Sequence, residues 1–224
     1  MGFYVAKAYF VAGTDTDVGK TFVSVGLLQA LNAAGKTTVA MKPVAAGTNA
    51  DGKNEDAVAL MAAMSANLPY QQVNPVLFDE PIAPHIAAEK AGKRMNAERL
   101  VGFARGLAMQ PQDVLLIEGA GGWLCPINNK ETLADVAKRL NCPVILVVGV
   151  RLGCLNHALL SVESIRAAGL PLAGWVANCV DPKMLNAEEN IQALRQRIPA
   201  SCLGVVPQCD PQEVMDYLQV AALI

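Results

Sequence analysis

The sequence predicts an α/β domain in which a mostly parallel sheet carries helices on both faces. Three observations predict it. Short apolar runs alternate with amphipathic segments along the chain. The runs are continuously apolar, as strands buried on both faces require. One of them, Ala8–Ala12, leads through Gly13-Thr14-Asp15-Thr16-Asp17-Val18-Gly19-Lys20-Thr21 into a helical pattern. Strand, glycine-bearing loop and helix in that order make a phosphate cradle.

Taken in order, the first strand is expected at Ala8–Ala12 and the helix Lys20–Ala33 follows the glycine loop, stopped by Gly35 with the chemistry of a C-cap. A second strand, Thr38–Met41, precedes a helix Glu55–Met64 introduced by Asn54-Glu55-Asp56, where a capping residue and acidic side chains suit a helix N-terminus. The stretch from Pro69 to Pro84 holds Pro69, Pro75, Pro81 and Pro84 and reads as a loop. Helix Ala97–Met109, strand Val114–Ile117, helix Leu133–Leu140 and strand Val144–Val150 continue the alternation. A helix at Asn156–Ala168 ends before Gly169, a second C-cap candidate. Strand Leu172–Ala177, helix Ala187–Arg197, strand Leu203–Val206 and a last helix at Glu213–Val220 complete the pattern.

The cradle comes close to the P-loop pattern. Five residues rather than four separate Gly13 from Gly19-Lys20-Thr21, so Thr14 stands where the strict pattern has its first glycine. Consecutive backbone N–H groups would face an anion, Lys20 would add charge, and the Thr21 hydroxyl is placed to ligate Mg²⁺. With no linker visible, residues 1–224 read as a single P-loop NTPase-like domain.

Composition narrows the function. The 224 residues are 53% hydrophobic and 17% charged, with mean hydropathy +0.30, which fits a compact globular protein. The net charge is −2 with scattered Lys and Arg, so no nucleic-acid partner is expected. No apolar run is long enough to span a bilayer, no secretory leader is read at the start, and no membrane partner is expected. Six cysteines (Cys125, Cys142, Cys154, Cys179, Cys202 and Cys209) form no C-x-x-C pair and no ligand spacing with His85 or His157. Zinc is not expected, and unpaired thiols in apolar contexts fit a reducing cytoplasm.

In wound parallel sheets ligands bind outside the carboxyl ends of the strands, so the residues after each strand bear inspection. Lys42-Pro43-Val44-Ala45-Ala46 follows the second strand, and Lys42 fits either a phosphate-facing cation or a solvated surface lysine. Asp56 fits a helix-dipole role or a Mg²⁺ ligand, and the residues alone favour the former. Glu118-Gly119-Ala120-Gly121-Gly122-Trp123 ends a buried strand with a carboxylate. Packing explains such a charge poorly and a metal explains it well. After the fourth strand, Gly149 to His157 offers the free N–H groups of a helix start, or an ordinary helix capped by Asn156. Asn178-Cys179-Val180-Asp181 has the form of an N-x-x-D base-reading element, whose amide can meet adenine, or is simply a turn before Pro182.

Together these segments resemble the dethiobiotin synthetase family, ATP-dependent ring-closing enzymes of biotin synthesis within the P-loop superfamily. The residues that carry the resemblance are Gly13 to Thr21, Lys42 to Ala45, Glu118 to Trp123, Leu152 to Ala158 and Gly174 to Asn178, in the family's order. The extra loop residue is itself a family trait. The resemblance implies a homodimer acting on 7,8-diaminononanoate, CO₂ or bicarbonate, and ATP as co-substrate, with Mg²⁺ as cofactor. It implies that Lys20 and Thr16 bind the phosphates with the loop segment Asp17, Val18, Gly19 and Phe22, and that Thr21, Asp56 and Glu118 hold Mg²⁺. Gly119, Ala120 and Gly121 would border the nucleotide. Lys42 would act on the substrate carbamate.

Asn178 would read adenine, with Cys179, Pro207, Gln208, Cys209 and Glu213 around it. The backbone of Gly153, Cys154, Leu155 and Asn156 would take the substrate carboxylate across the dimer. Two departures stand out. Ala46 replaces a Ser common in the family, and the stretch Ala187 to Asn190 lacks a Tyr that reaches the substrate in some relatives. Two other classes compete. A partner-switching ATPase of the chromosome-partitioning kind usually carries an extra Lys in the phosphate loop, which Thr14 to Val18 lacks. A glutamine-dependent amidating relative would need an amidotransferase segment for which this chain has no room.

Overall fold

A computed structural model describes residues 6–224. The sheet is built on β1 (Lys7–Gly13), whose inner residues are fully buried. After α1 (Lys20–Ala33) come β2 (Thr38–Met41), β3 (Val44–Ala46), α2 (Glu55–Ala63), α3 (Tyr70–Val73), β4 (Val76–Phe78), α4 (Pro84–Lys90) and α5 (Ala97–Ala108). The second half alternates strictly: β5 (Val114–Glu118), α6 (Leu133–Leu140), β6 (Val144–Gly149), α7 (Cys154–Ala167), β7 (Leu172–Asn178), α8 (Ala187–Arg197) and β8 (Cys202–Val206).

Six strands form one parallel sheet in the order β2-β5-β1-β6-β7-β8. The chain winds to one side of β1 through β2 and β5 and to the other through β6, β7 and β8. Where the winding reverses, neighbouring crossovers diverge and leave a crevice at the carboxyl ends of β1, β5 and β6. The strands Val114–Glu118, apolar up to its last residue, and Val144–Gly149 are buried along their whole length because helices cover both faces of the sheet. Phe10 meets Trp123 edge to face with ring centroids 6.1 Å apart, and the Trp123 indole donates to Ser164 on α7. The loop after β5 is thereby pinned to the core.

The two C-caps expected from sequence are present. Gly35 and Gly169 both have positive φ, and the amides of Lys36 and Leu170 reach back to Leu31 and Ile165, the Schellman pattern.

Three expectations need correction. The stretch from Pro69 to Pro84 is not one loop. It contains α3, β4 and the start of α4, and β4 pairs in parallel with β3 as a separate two-stranded sheet. Its elements are too short to show a period, and Pro69, Pro75 and Pro84 sit at or just before element starts, where a missing N–H costs little, while Pro81 lies in the bend before α4. The helix after β6 begins at Cys154 rather than Asn156, because Gly153 adopts φ 94° and turns the chain into the helix two residues earlier. The last helix is only a 3₁₀ turn, Val214–Tyr217. Leu218 bridges antiparallel to Gly204 and Gln219 donates to Leu203, so pairing with β8 draws the chain out of helix.

Candidate active site

The phosphate loop is shaped from both sides. Thr14 extends the ladder of β1 by donating to Val147, and the Gly149 amide donates to the Thr14 hydroxyl. Asp17 and Gly19 both lie in the left-handed region, at φ 57° and 81°. Asp tolerates that conformation better than most residues, whereas at Gly19 a Cβ would overlap the Asn178 side-chain amide. That amide donates to Val18 O at 2.9 Å. The end of β7 therefore fixes the curvature of the loop. Arg151 pairs with Asp15 and ties the loop to the start of α7.

Lys20 opens α1 and is buried, with its ammonium 3.3 Å from Asp15 O. Burial, and next the Lys42 charge, push its pKa down. The helix N-terminus leaves backbone N–H groups without helical partners at the same place, so the loop presents both dipole and charge to an anion.

Deeper in, four side chains meet. Lys42, only 4% exposed, sends its ammonium to Glu118 Oε1 at 2.7 Å, to Asp56 Oδ2 at 2.8 Å and to Gly119 O at 3.3 Å. Thr21 donates to the same Glu118 oxygen at 2.7 Å. Glu118 is 0% exposed and its Oε2 is buried with no hydrogen-bond partner. Burial alone would lower the Lys42 pKa, but Glu118 and then Asp56 overcome it and hold the ammonium above the usual lysine range. Burial would raise the Asp56 pKa, yet Lys42 holds its carboxyl below the usual carboxylate range.

These contacts resolve two readings that the residues left open. Lys42 is not a solvated surface lysine, because its position at the end of β2 points it under the phosphate loop. Asp56 is not the cap of α2. The Asn54 side chain accepts from Ala57 and does the capping, which frees the Asp56 carboxylate to turn inward.

A cleft of about 670 Å³ opens over this cluster. It gathers Thr16, Asp17, Gly19, Lys20, Thr21 and Phe22 from the loop and α1, Lys42 and Ala46 from the second crossing, Asp56, and Ala120 with Gly121 after β5. Val18 is buried beneath the loop, and Glu118 and Gly119 are buried at the end of β5. The cleft also takes Pro81, Ile82 and Pro84 from the proline-rich stretch, together with Asn54 and Cys125. Sequence reasoning missed these five, and the only signal for the first three was their density of prolines.

Other expected site residues lie outside the cleft lining. Cys179 donates its amide to Val206, which sets β7 beside β8, and Pro207, Gln208 and Cys209 follow directly. The Glu213 carboxylate accepts from the Asp210 amide. Gly153, Cys154, Leu155 and Asn156 start α7, with Cys154 buried and Asn156 exposed. Because α7 starts at Cys154, Asn156 lies inside its first turn and is not the N-cap.

A family model described as an AAA domain matches residues 7–213. The ATP-dependent dethiobiotin synthetase BioD of Cellvibrio japonicus is 55% identical over 205 residues, covering 90% of each chain. The chain belongs to the dethiobiotin synthetase family. The enzyme of the same name from Pseudomonas paraeruginosa is 52% identical, over 96% of this chain and 97% of its own. That from Marinobacter nauticus is 48% identical with the same coverage.

Beyond the dethiobiotin synthetases, the fold is shared more widely. The septum site-determining protein MinD of Pyrococcus horikoshii, solved with Mg-ADP, gives a TM-score of 0.58 at 17% identity, covering 95% of this chain and 87% of that one. The cell division protein FtsY of Thermotoga maritima gives 0.52 at 16% identity, covering 96% and 71%. Likeness at that level is one of fold alone.

Proposed function

We propose that this chain makes dethiobiotin from 7,8-diaminononanoate, CO₂ and ATP. The observation that carries the reading is that the phosphate loop and a buried lysine, held between two carboxylates, open into one cleft. Family membership supplies the substrates. The geometry suits a reaction in which a phosphoryl group passes to an anion lying beside the nucleotide.

One amine of the substrate adds to CO₂ and loses a proton, giving a carbamate. A carbamate oxygen attacks the γ-phosphorus of ATP and ADP leaves, forming a carbamic-phosphoric anhydride. The second amine then attacks the carbonyl carbon, phosphate departs and the cyclic urea closes. Lys20, with Thr16 and the amides from Asp17 to Phe22, binds and orients the phosphates. Lys42 stabilises the carbamate anion, its charge fixed in advance by Glu118 and Asp56.

A divalent cation fits the donor set. Glu118 Oε2 is an unsatisfied buried carboxylate oxygen, and Thr21 and Asp56 stand beside it. Two carboxylates and a hydroxyl suit Mg²⁺, which takes few protein carboxylates together with substrate phosphates. Bound there, it would neutralise charge on the transferring phosphoryl group.

The adenine would lie toward Asn178, Cys179, Pro207, Gln208, Cys209 and Glu213. The Asn178 Nδ2 that donates to Val18 keeps a second hydrogen, and its oxygen stays available. The substrate carboxylate would reach Gly153–Asn156 of a second copy in a homodimer. Leu152 beside that helix start is 92% exposed, an apolar side chain that a partner surface would cover. Among the described residues no helix is long and apolar enough to cross a membrane. Ala46 lines the cleft without a hydroxyl, so the substrate loses one hydrogen bond available in relatives with Ser.

Mass spectrometry of the product from diaminononanoate, ¹³C-bicarbonate and Mg-ATP tests the reading. Dethiobiotin carrying one ¹³C atom supports it. ATP hydrolysis independent of the diamine overturns it.

A further inference from the structure

We infer that Tyr70 and Asn74 are positioning residues that hold Lys42 and Asp56 in register with each other. Lys42 follows β2 and Asp56 lies in the first turn of α2, so no single element carries both partners of the ion pair. Something must set the distance between them. The segment from Tyr70 to Asn74 does so through an unbroken chain of hydrogen bonds.

The Asn54 backbone N–H, at the cap of α2, donates to the Tyr70 hydroxyl at 2.8 Å. That hydroxyl donates to Asn74 Oδ1 at 2.9 Å. Asn74 Nδ2 in turn donates to Lys42 O at 2.8 Å and to Val76 O at 3.2 Å. On its other side the Lys42 amide donates to Val73 O at 2.8 Å. Both backbone groups of Lys42 are therefore clamped by consecutive residues of one segment, and Pro43 removes a further degree of freedom just after it.

Asn74 is 3% exposed, and its amide is used at both ends. A residue needed only to fill space would be apolar there, since burying an amide is favourable only when its partners are met. Three links lead from the cap of the helix bearing Asp56 to the peptide bearing Lys42. Through them the Lys42 ammonium stays within reach of Asp56 while bound to Glu118. Small displacements of a positioned charge are costly to a reaction, which gives the network its catalytic consequence. That consequence rests on the role proposed above for Lys42, whereas the positional claim does not.

The test uses Tyr70→Phe, which removes one oxygen and leaves the ring. Expected is a folded enzyme with an unchanged KM for ATP and kcat lower by about threefold to tenfold, the size of one ordinary hydrogen bond. In an Asp56→Asn background the same change should cost less than about twofold, because coupled residues are not additive. The ¹⁵N signal of the Lys42 ammonium in lysine-labelled protein at fixed pH, assigned with Lys42→Gln, should move in Tyr70→Phe. Asn74→Leu should do the same more strongly. Equal losses in both backgrounds, as a general structural defect would give, or an unmoved ammonium signal in Tyr70→Phe overturns the inference. If the wild-type protein makes no dethiobiotin, the proposed reaction falls by itself, and the ammonium signal still decides the positioning.

Discussion

Lys42 and Thr21 converge on one oxygen of Glu118, at 2.7 Å each, while the second oxygen of that buried carboxylate has no partner. An isolated buried carboxylate is expensive, and a buried oxygen without a partner adds to that cost. The same ammonium touches Asp56 at 2.8 Å, so two carboxylates share one positive charge. Lys20 is the next cation to both carboxylates.

Glu118→Gln should therefore raise the Mg²⁺ concentration needed for half-maximal turnover. Lys42 keeps Asp56 as an ionic partner, so the fold should survive. A Mg²⁺ titration of the ATPase or synthase rate checks this, with a melt recorded alongside. An unchanged Mg²⁺ requirement would remove Glu118 from the metal and leave it as a structural partner of Lys42.

The ion pair also makes stability depend on pH. The Asp56 pKa is depressed on folding, so its contribution is present above the unfolded carboxylate pKa and is lost as pH falls through the folded value. The Lys42 pKa is raised, so its contribution is present below the unfolded lysine pKa and is lost as pH climbs through the folded value. Urea midpoints in metal-free buffer should hold level through neutral pH and fall below about pH 4. In Asp56→Asn the acid limb should be shallower. Identical limbs for the two proteins would mean that Asp56 contributes no pH-dependent stability.

Much of this site was legible because its chemistry is local. Gly13 to Thr21 names a loop by itself, and Glu118 could be singled out because a carboxylate ending an apolar strand has few other uses. The position of Lys42 was undecidable from its neighbours in sequence, since its burial depends on β2 lying beside β5, a pairing between distant segments. Asp56 is ambiguous for the same reason: a first-turn acid looks identical whether it faces solvent or Lys42. The segment holding Tyr70 and Asn74 reads as a loop because its helix has only four residues and its strand three, too few for either period to appear.

Leu152→Arg should weaken self-association. The side chain is almost fully exposed beside the α7 start, and a charge there would oppose burial against a second copy. Light scattering should show a monomer, and activity should fall with the dimer fraction on dilution. A fully active monomer would show that Gly153–Asn156 of another copy takes no part.

Lys42→Gln tests the chemistry most directly, and the ion pairs change what to expect of it. Removing the ammonium leaves Glu118 and Asp56 without their shared cation, so the nucleotide-free protein should melt earlier than wild type. Mg²⁺ and ATP should restore part of that loss, because a divalent cation can answer the same carboxylates. Turnover should not return with it. A glutamine amide can donate a hydrogen bond to the carbamate but cannot neutralise its charge. The deficit should resemble the loss of a preorganised donor, about 2.7–4 kcal/mol, or about two to three decades in kcat. Lys42→Arg keeps the charge, but its planar fork does not fit a pocket shaped around a compact ammonium, so it should be impaired as well. Kinetics and melts of both variants, with and without Mg-ATP, separate the two effects. Stability recovered on Mg-ATP with turnover still lost fits Lys42 acting on the carbamate, and recovery of both would make it only the counter-ion of Glu118 and Asp56.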